Sequence, residues 1–234
     1  MMESKFSYID ENYNRITERM RLCSAMTDKP SPCILLAAVK SADIEEINYL
    51  HRVHKVRDIG ENRVQQLLSR YEALEDREGL RIHFIGTLQR NKVKYIVDKV
   101  DMIHSVDSAE LAEEISKRCK KISVTMDVLV EVNIGREQSK SGLMPEQVAT
   151  VAAHADSLEG VNVRGFMTMA PNCETAEEYR AYFSEMRKLA QYIWTEVLKK
   201  EGSPLLSMGM SQSFEPAILE GSDIVRIGRQ LFEK

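Results

Sequence analysis

The sequence predicts a single α/β domain, a (β/α)8 TIM barrel with one extra helix ahead of it. Three observations predict it. Short apolar runs alternate with amphipathic stretches along the chain, eight times over. The runs are continuously apolar rather than alternating, as expected of parallel strands covered on both faces. Eight such units within about 200 residues match the size of a closed barrel. An open doubly wound sheet is the alternative. No linker, low-complexity tract or repeat divides the 234 residues, so one domain over 1–234 is expected, with 1–28 supplying a helix that packs on the barrel.

The elements follow in order. Tyr8, Ile9, Tyr13, Ile16, Met20 and Leu22 recur at mostly helical spacing between Ser7 and Met26, and "TDKPSP" then breaks the pattern. Strand-like runs lie at 33–39, 56–59, 82–85, 102–106, 128–134, 161–167, 205–208 and 224–227. Between them, "VQQLLSRY" puts Val64, Leu67, Leu68 and Tyr71 on one face. "NKVKYIVDKV", "AELAEEISKRC", "PEQVATVAAHA", "TAEEYRAYFSEMRKLAQYIWTEVLKK" and "FEPAILE" read as helices on the same grounds.

In such a barrel the chemistry sits where strands end. The first apolar run, "LLAAV", ends on Lys40 and is followed by "SADIEE", a helix start at Ser41 or Asp43. Taken alone, Lys40 reads first as a solvated lysine at the barrel rim. The second reading is an amine desolvated by the strand end and nucleophilic toward carbonyls. Strand two ends in "GENRVQQ", where Asn62 caps a helix or bonds a ligand. His83 lies inside strand three, as a bonded core residue or as a pocket lining. With no partner at ligand spacing, no metal is expected. The loop "NIGREQSKSG" carries Arg136 and Lys140 as anion candidates, or is a plain surface loop.

The ends of strands seven and eight carry more. "SMGMSQSFEPAILEG" offers Gly209, Ser211 and Ser213 at a helix start, and "DIVRIGRQLF" offers Arg226 in the strand and Gly228 beyond it. Loops after these two strands commonly form this fold's phosphate site. The plainer reading makes Ser213 an N-cap and the glycines turns. A lysine at one strand end and a phosphate cradle at two others suit a phosphorylated aldehyde held as a Schiff base, with pyridoxal 5′-phosphate the obvious candidate. Arg226 would then face the pyridine nitrogen and disfavour its protonation.

Composition excludes other classes. A net charge of −4 with no clustered basic face speaks against nucleic acid. "KRCKKIS" reads as the close of a helix, where cations complement the dipole. Four scattered cysteines fit a reducing cytoplasm, and the charged N-terminus is no signal peptide. No run reaches the roughly 18 apolar residues of a membrane span. No coiled coil or apolar patch is legible, so a monomer is expected.

The phrases "AAVK", "GENRVQ", "HFIGTLQRNK", "IHSVDS", "VNIGREQSKSG", "VRGFMTMA" and "SMGMSQSFEPAILEGSDIVRIG" together resemble the pyridoxal phosphate homeostasis proteins, the YggS/PROSC family. The likeness runs from about Leu35 to Phe232. It implies a fold like the barrel domain of bacterial alanine racemase. It implies pyridoxal phosphate on Lys40, phosphate contacts from Ser211 and the backbone of Gly228 and Arg229, Arg226 at the pyridine nitrogen, and Asn62 and His83 lining the pocket. Lys140 falls in a loop linked to a secondary cofactor contact. Members commonly carry "VSKT" and then a proline around the lysine, whereas this chain reads "AVKSADIEE". The resemblance implies a non-catalytic carrier and regulator in vitamin B6 homeostasis that binds pyridoxal phosphate reversibly and limits free reactive aldehyde, with PLP-dependent apo-enzymes as candidate partners. The alternative is a small racemase or other amino-acid enzyme. That needs an acid–base group opposite Lys40, with His83 or a tyrosine as candidates, and the expected end of the fold at Lys234 leaves no room for the extra β-domain from which alanine racemase draws its second base.

Overall fold

The computed structural model describes residues 5–29 and 31–234. Eight parallel strands close into a barrel in sequence order: β1 Ile34–Ala38, β2 Asp58–Glu61, β3 Arg81–Phe84, β4 Met102–Val106, β5 Met126–Val132, β6 Val161–Thr168, β7 Leu205–Met210 and β8 Ile224–Ile227. Ladder pairs such as Leu36 with Arg226 and Ala37 with Ile227 join β1 to β8, which excludes the open sheet. The helices are α1 Ser7–Ser24, α2 Ile44–His54, α3 Val64–Arg70, α4 Ala109–Ile122, α5 Pro145–Ser157, α6 Ala176–Tyr192, α7 Phe214–Leu219 and α8 Arg229–Phe232.

Because side chains alternate along a strand, each stave has an outward and an inward set. Outward residues such as Ala37, Ile59, Phe84, Ile103, Val128 and Ile227 join helix residues such as Ile9, Ile47, Leu111 and Phe183 in one continuous apolar layer. Each fully buried Val, Leu, Ile or Phe side chain among them contributes about 1.5–3 kcal/mol. Inward residues form two smaller apolar groups, Leu36, Ile85 and Ile224 on one side, Met102, Leu129 and Met167 on the other. The other inward positions include buried polar residues: Asp58, His83, His104, Glu131, Ser207 and Arg226.

α1 packs beside α7 and α8. Asn12 Nδ2 donates to the carbonyls of Leu231 (3.3 Å) and Glu233 (2.8 Å), and Arg19 forms a two-pronged pair with Glu215. α2 starts at Asp43, whose carboxylate accepts from Glu46 N while the Glu46 side chain accepts from Asp43 N, a capping box. "SADIEE" is therefore a helix entry fixed by its own side chains. Lys120 and Lys121 lie in the last turn of α4, which ends on left-handed Ser123. Among the described residues no helix is long and apolar enough to cross a membrane.

Three elements differ from expectation. β2 runs Asp58–Glu61 rather than 56–59, because His83 and Arg81 of β3 satisfy Asp58 inside the strand. The β3–β4 crossover is a 3-10 helix, Arg90–Tyr95, and then turns, despite the helical spacing of Val93, Ile96, Val97 and Val100. A 3-10 helix rises about 2.0 Å per residue against about 1.5 Å, so a short crossover reaches further. Lys40 stands in a 3-10 turn, Val39–Ser41, one step beyond the strand.

Candidate functional site

The register brings three strand ends side by side. β1 lies next to β8, and β8 next to β7 through Met210 and Arg226. The turn that carries Lys40, the loop at Gly228 and the loop at Ser211 therefore open on the same C-terminal rim. The Lys40 side chain is exposed while Val39 beside it is fully buried and anchors the turn. Gly228 packs directly on the end of β1: a Cβ there would stand 2.6 Å from the Ala38 carbonyl oxygen. Arg229, exposed, opens α8 immediately after it.

Around β7 the backbone is equally close. Gly209 has φ +93°, and a Cβ on it would lie 2.5 Å from Ala217 Cβ, so only glycine lets α7 approach. The Ser211 hydroxyl accepts from Gln230 N at 3.5 Å, which ties the β7 loop to α8. Ser213 is not a side-chain cap of α7; its hydroxyl accepts from Met210 N at 3.2 Å and tightens the loop instead. Asn62 does not cap α3 either, since Arg63 holds that position. Its side-chain amide has no hydrogen bond among the described residues, and its backbone is pressed by Gly86, where a Cβ would meet Asn62 O at 2.1 Å.

Arg226 is buried in the barrel. Nη1 donates to Ser207 O (2.7 Å) and Ser207 Oγ (2.8 Å), and Nη2 donates to Thr168 O (2.8 Å). Its Nε–H has no partner among the described residues. Burial lowers its pKa to about 10, with Glu131 opposing, so it remains a cation at neutral pH.

The chain of contacts continues inward. His104 Nδ1 lies 3.1 Å from Ser207 Oγ, His104 Nε2 lies 2.9 Å from His83 Nδ1, and His83 Nε2 lies 3.0 Å from Asp58 Oδ1. Burial raises the Asp58 pKa, but bonds from His83 and Arg81 outweigh it and hold this carboxyl below its usual range. Burial, with His83 and Arg226 nearby, pushes His104 well below the usual imidazole range, so His104 is neutral. Both ring nitrogens of His83 are thus engaged inside the barrel.

Across the mouth, burial pushes the Glu131 carboxyl up, the Ser141 hydroxyl (2.7 Å) pulls it down, and Asp107 raises it further. Ser141 lies in the loop after β5, whose frame is Asn133: Nδ2 donates to Glu137 O at 2.8 Å and Oδ1 accepts from Glu137 N at 3.1 Å. Lys140 pairs with Glu137 and reaches Ala170 O at 3.4 Å, while Arg136 pairs with Glu146 outside.

The structure brings Lys40, Ser211, Arg226, Gly228 and Arg229 to adjoining strand ends. It does not give His83 a free nitrogen. His104, Ser207, Thr168 and Glu131 were not singled out from the sequence. The single carboxylate in "VLVEV" and the histidine in "MIHSV" were the available signals, each a polar residue in an apolar run.

Comparison with known proteins places this geometry. Residues 11–233 match the alanine racemase N-terminal domain family. A pyridoxal phosphate homeostasis protein of Aquifex aeolicus is 43% identical over 223 residues, covering 95% of this chain and 96% of that one. The structure of an unknown protein from Bifidobacterium adolescentis superimposes with TM-score 0.89 at 33% identity, over 99% of this chain and 97% of the other. PipY of Synechococcus elongatus, solved with PLP bound, gives TM-score 0.77 at 30% identity, over 93% and 99%. The chain belongs to the pyridoxal phosphate homeostasis proteins, within the alanine racemase N-terminal domain family.

Proposed function

We propose that this chain binds pyridoxal 5′-phosphate reversibly in the barrel mouth and serves cofactor homeostasis as a carrier rather than as an enzyme. The observation that carries the reading is the adjacency of Lys40, Ser211 and Arg226 on the ends of β1, β7 and β8, in a chain whose relative PipY holds PLP. The residues fit such a ligand. Gly228 leaves clear the space that a Cβ would fill against Ala38, and among the described residues Arg226 keeps an Nε–H unpaired beside Ser207.

When bound, the cofactor supplies an aldehyde carbon reactive toward primary amines and a phosphate dianion. Lys40 is the amine assigned to that carbon. The Ser211 hydroxyl and the backbone of Gly228 and Arg229 are assigned to the phosphate, at the place where this fold commonly binds one. Arg226 is assigned to the pyridine nitrogen. As a cation at neutral pH donating a hydrogen bond, it keeps that nitrogen unprotonated and so weakens the ring as an electron sink. Asn62 and the His83 ring contribute to the lining.

The carrier reading is supported by the side chains in the mouth. A racemase needs a second acid–base group opposite the lysine. His83 has both nitrogens engaged with His104 and Asp58. The test is incubation of the loaded protein with L-alanine and other amino acids, followed by chiral analysis. The expected result is no turnover above free cofactor; efficient racemisation would overturn the carrier reading.

A further inference from the structure

The turn that carries Lys40 is held from outside the barrel by α3. Gln66 Nε2 donates to the carbonyl of Lys40 itself at 2.9 Å. Arg70 Nη1 donates to Val39 O at 3.1 Å and reaches Ala42 O at 3.5 Å. Three carbonyls of one tight turn therefore face two side chains of one short helix. Beneath Arg70 stands Glu61, the last residue of β2, on the outward face of the strand and 0% exposed.

Among the described residues neither Glu61 carboxylate oxygen has a hydrogen bond. Its ionisable neighbour is Arg70, whose Nε lies 3.4 Å from Oε1. An ionisable group buried without hydrogen bonds is costly, and its place here is explained by what it holds. Arg70 uses one edge of its guanidinium toward Glu61 and the other toward the Lys40 turn. Its planar fork can make both contacts at once, which an ammonium cannot do.

We propose that Arg70 is a positioning residue for Lys40, and that buried Glu61 fixes the pose in which Arg70 grips the turn. This rests on the reading that Lys40 carries the cofactor. Burial raises the Glu61 pKa to about 7, with Arg70 opposing, so its charge changes near neutral pH. The carboxylate form attracts Arg70, so the grip tightens as pH rises through that range.

The first test needs no cofactor. Amide hydrogen exchange of residues 40–42 in the apo protein is expected to be at least about tenfold faster in Arg70→Ala and in Arg70→Lys than in wild type, from loss of charge-assisted bonds to the turn. Exchange in β5 is expected to stay unchanged. The second test measures affinity for pyridoxal phosphate by visible absorption. Arg70→Lys is expected to weaken it about tenfold. The ratio of wild-type to Glu61→Gln affinity is expected to grow as pH rises through about 7. Unchanged exchange in both Arg70 variants would overturn the proposal, whatever the cofactor does. A wild type that fails to bind cofactor while the exchange effect persists would overturn the functional reading and leave the grip on the turn intact. Should Arg70→Ala not fold, Arg70→Lys and Glu61→Gln carry the test.

Discussion

His83 Nδ1 and His104 Nε2 lie 2.9 Å apart inside the barrel, with the two ring planes nearly perpendicular at 87°. The contact sets proton positions on both rings. With Asp58 ionised, His83 donates Nε2–H to it. In the neutral form, His83 Nδ1 then accepts from His104 Nε2–H, His104 Nδ1 accepts from the Ser207 hydroxyl, and Ser207 Oγ accepts from Arg226. Every donor points the same way, from the cation at the mouth toward the carboxylate. Nitrogen-15 NMR of the histidine rings is expected to show His104 as the Nε2–H tautomer, neutral through the usual imidazole range. A protonated His104 near neutral pH would contradict this arrangement.

Ser207→Ala removes the middle of the chain. It leaves His104 Nδ1 and one Arg226 N–H buried without a partner. The expected cost is about 1–3 kcal/mol, read by chemical denaturation. Arg226 should also become less well fixed, so the absorption maximum of the bound cofactor is expected to shift in this variant. A simple loss of stability would not move that maximum.

Gly228→Ala adds a methyl against backbone, since its Cβ would stand 2.6 Å from Ala38 O. The end of β1 and the β8 loop must then separate, just beside Lys40. Overpacking of this kind costs about 1–3 kcal/mol. Cofactor affinity is expected to fall by more than global stability does, as titration and denaturation measured on the same variant will show.

Glu61 makes stability depend on pH with a definite sign. Its folded-state pKa lies at about 7, above the usual 4.5, so the folded state holds its proton longer than the unfolded chain. Between those values the unfolded chain binds fewer protons, and wild-type stability declines as pH rises. Glu61→Gln lacks this decline. Its stability relative to wild type is expected to increase by about 3 kcal/mol at most from pH 4 to pH 8. A difference independent of pH would show that the carboxyl is not held as described.

The extra helix is a further handle. Asn12 reaches the carbonyls of Leu231 and Glu233, and so ties α1 to the last helix of the barrel. Asn12→Ala is expected to destabilise the fold by about 1–2 kcal/mol in denaturant, from loss of these bonds at a buried site. No effect would mean that α1 is held by its apolar face alone.

The barrel was legible because parallel strands write themselves as apolar runs, and each of the eight runs overlaps a strand. The polar ends of β2 hid its true span, since Asp58 is satisfied by β3 and Glu61 faces Arg70 of α3, neither of which the local pattern reveals. At 90–100 the helical spacing marked burial correctly and helix type incorrectly, because the crossover geometry selects the 3-10 form. Lys40, Ser211 and Arg226 were singled out from where they stand relative to strand ends. The network behind them was not, because its links are distant in sequence: 103 residues separate His104 from Ser207. The grip of Arg70 on Val39 spans 31 residues and likewise becomes visible only once the barrel closes.

The attachment residue tests the account most directly. Protein incubated with pyridoxal phosphate, treated with borohydride and digested is expected to carry the reduced phosphopyridoxyl mass on the peptide that contains Lys40. Lys40→Ala should lose both that label and the visible absorption band, while retaining its thermal unfolding transition. Label on another lysine, or a visible band that survives in Lys40→Ala, would contradict the assignment of Lys40 as the residue that holds the cofactor.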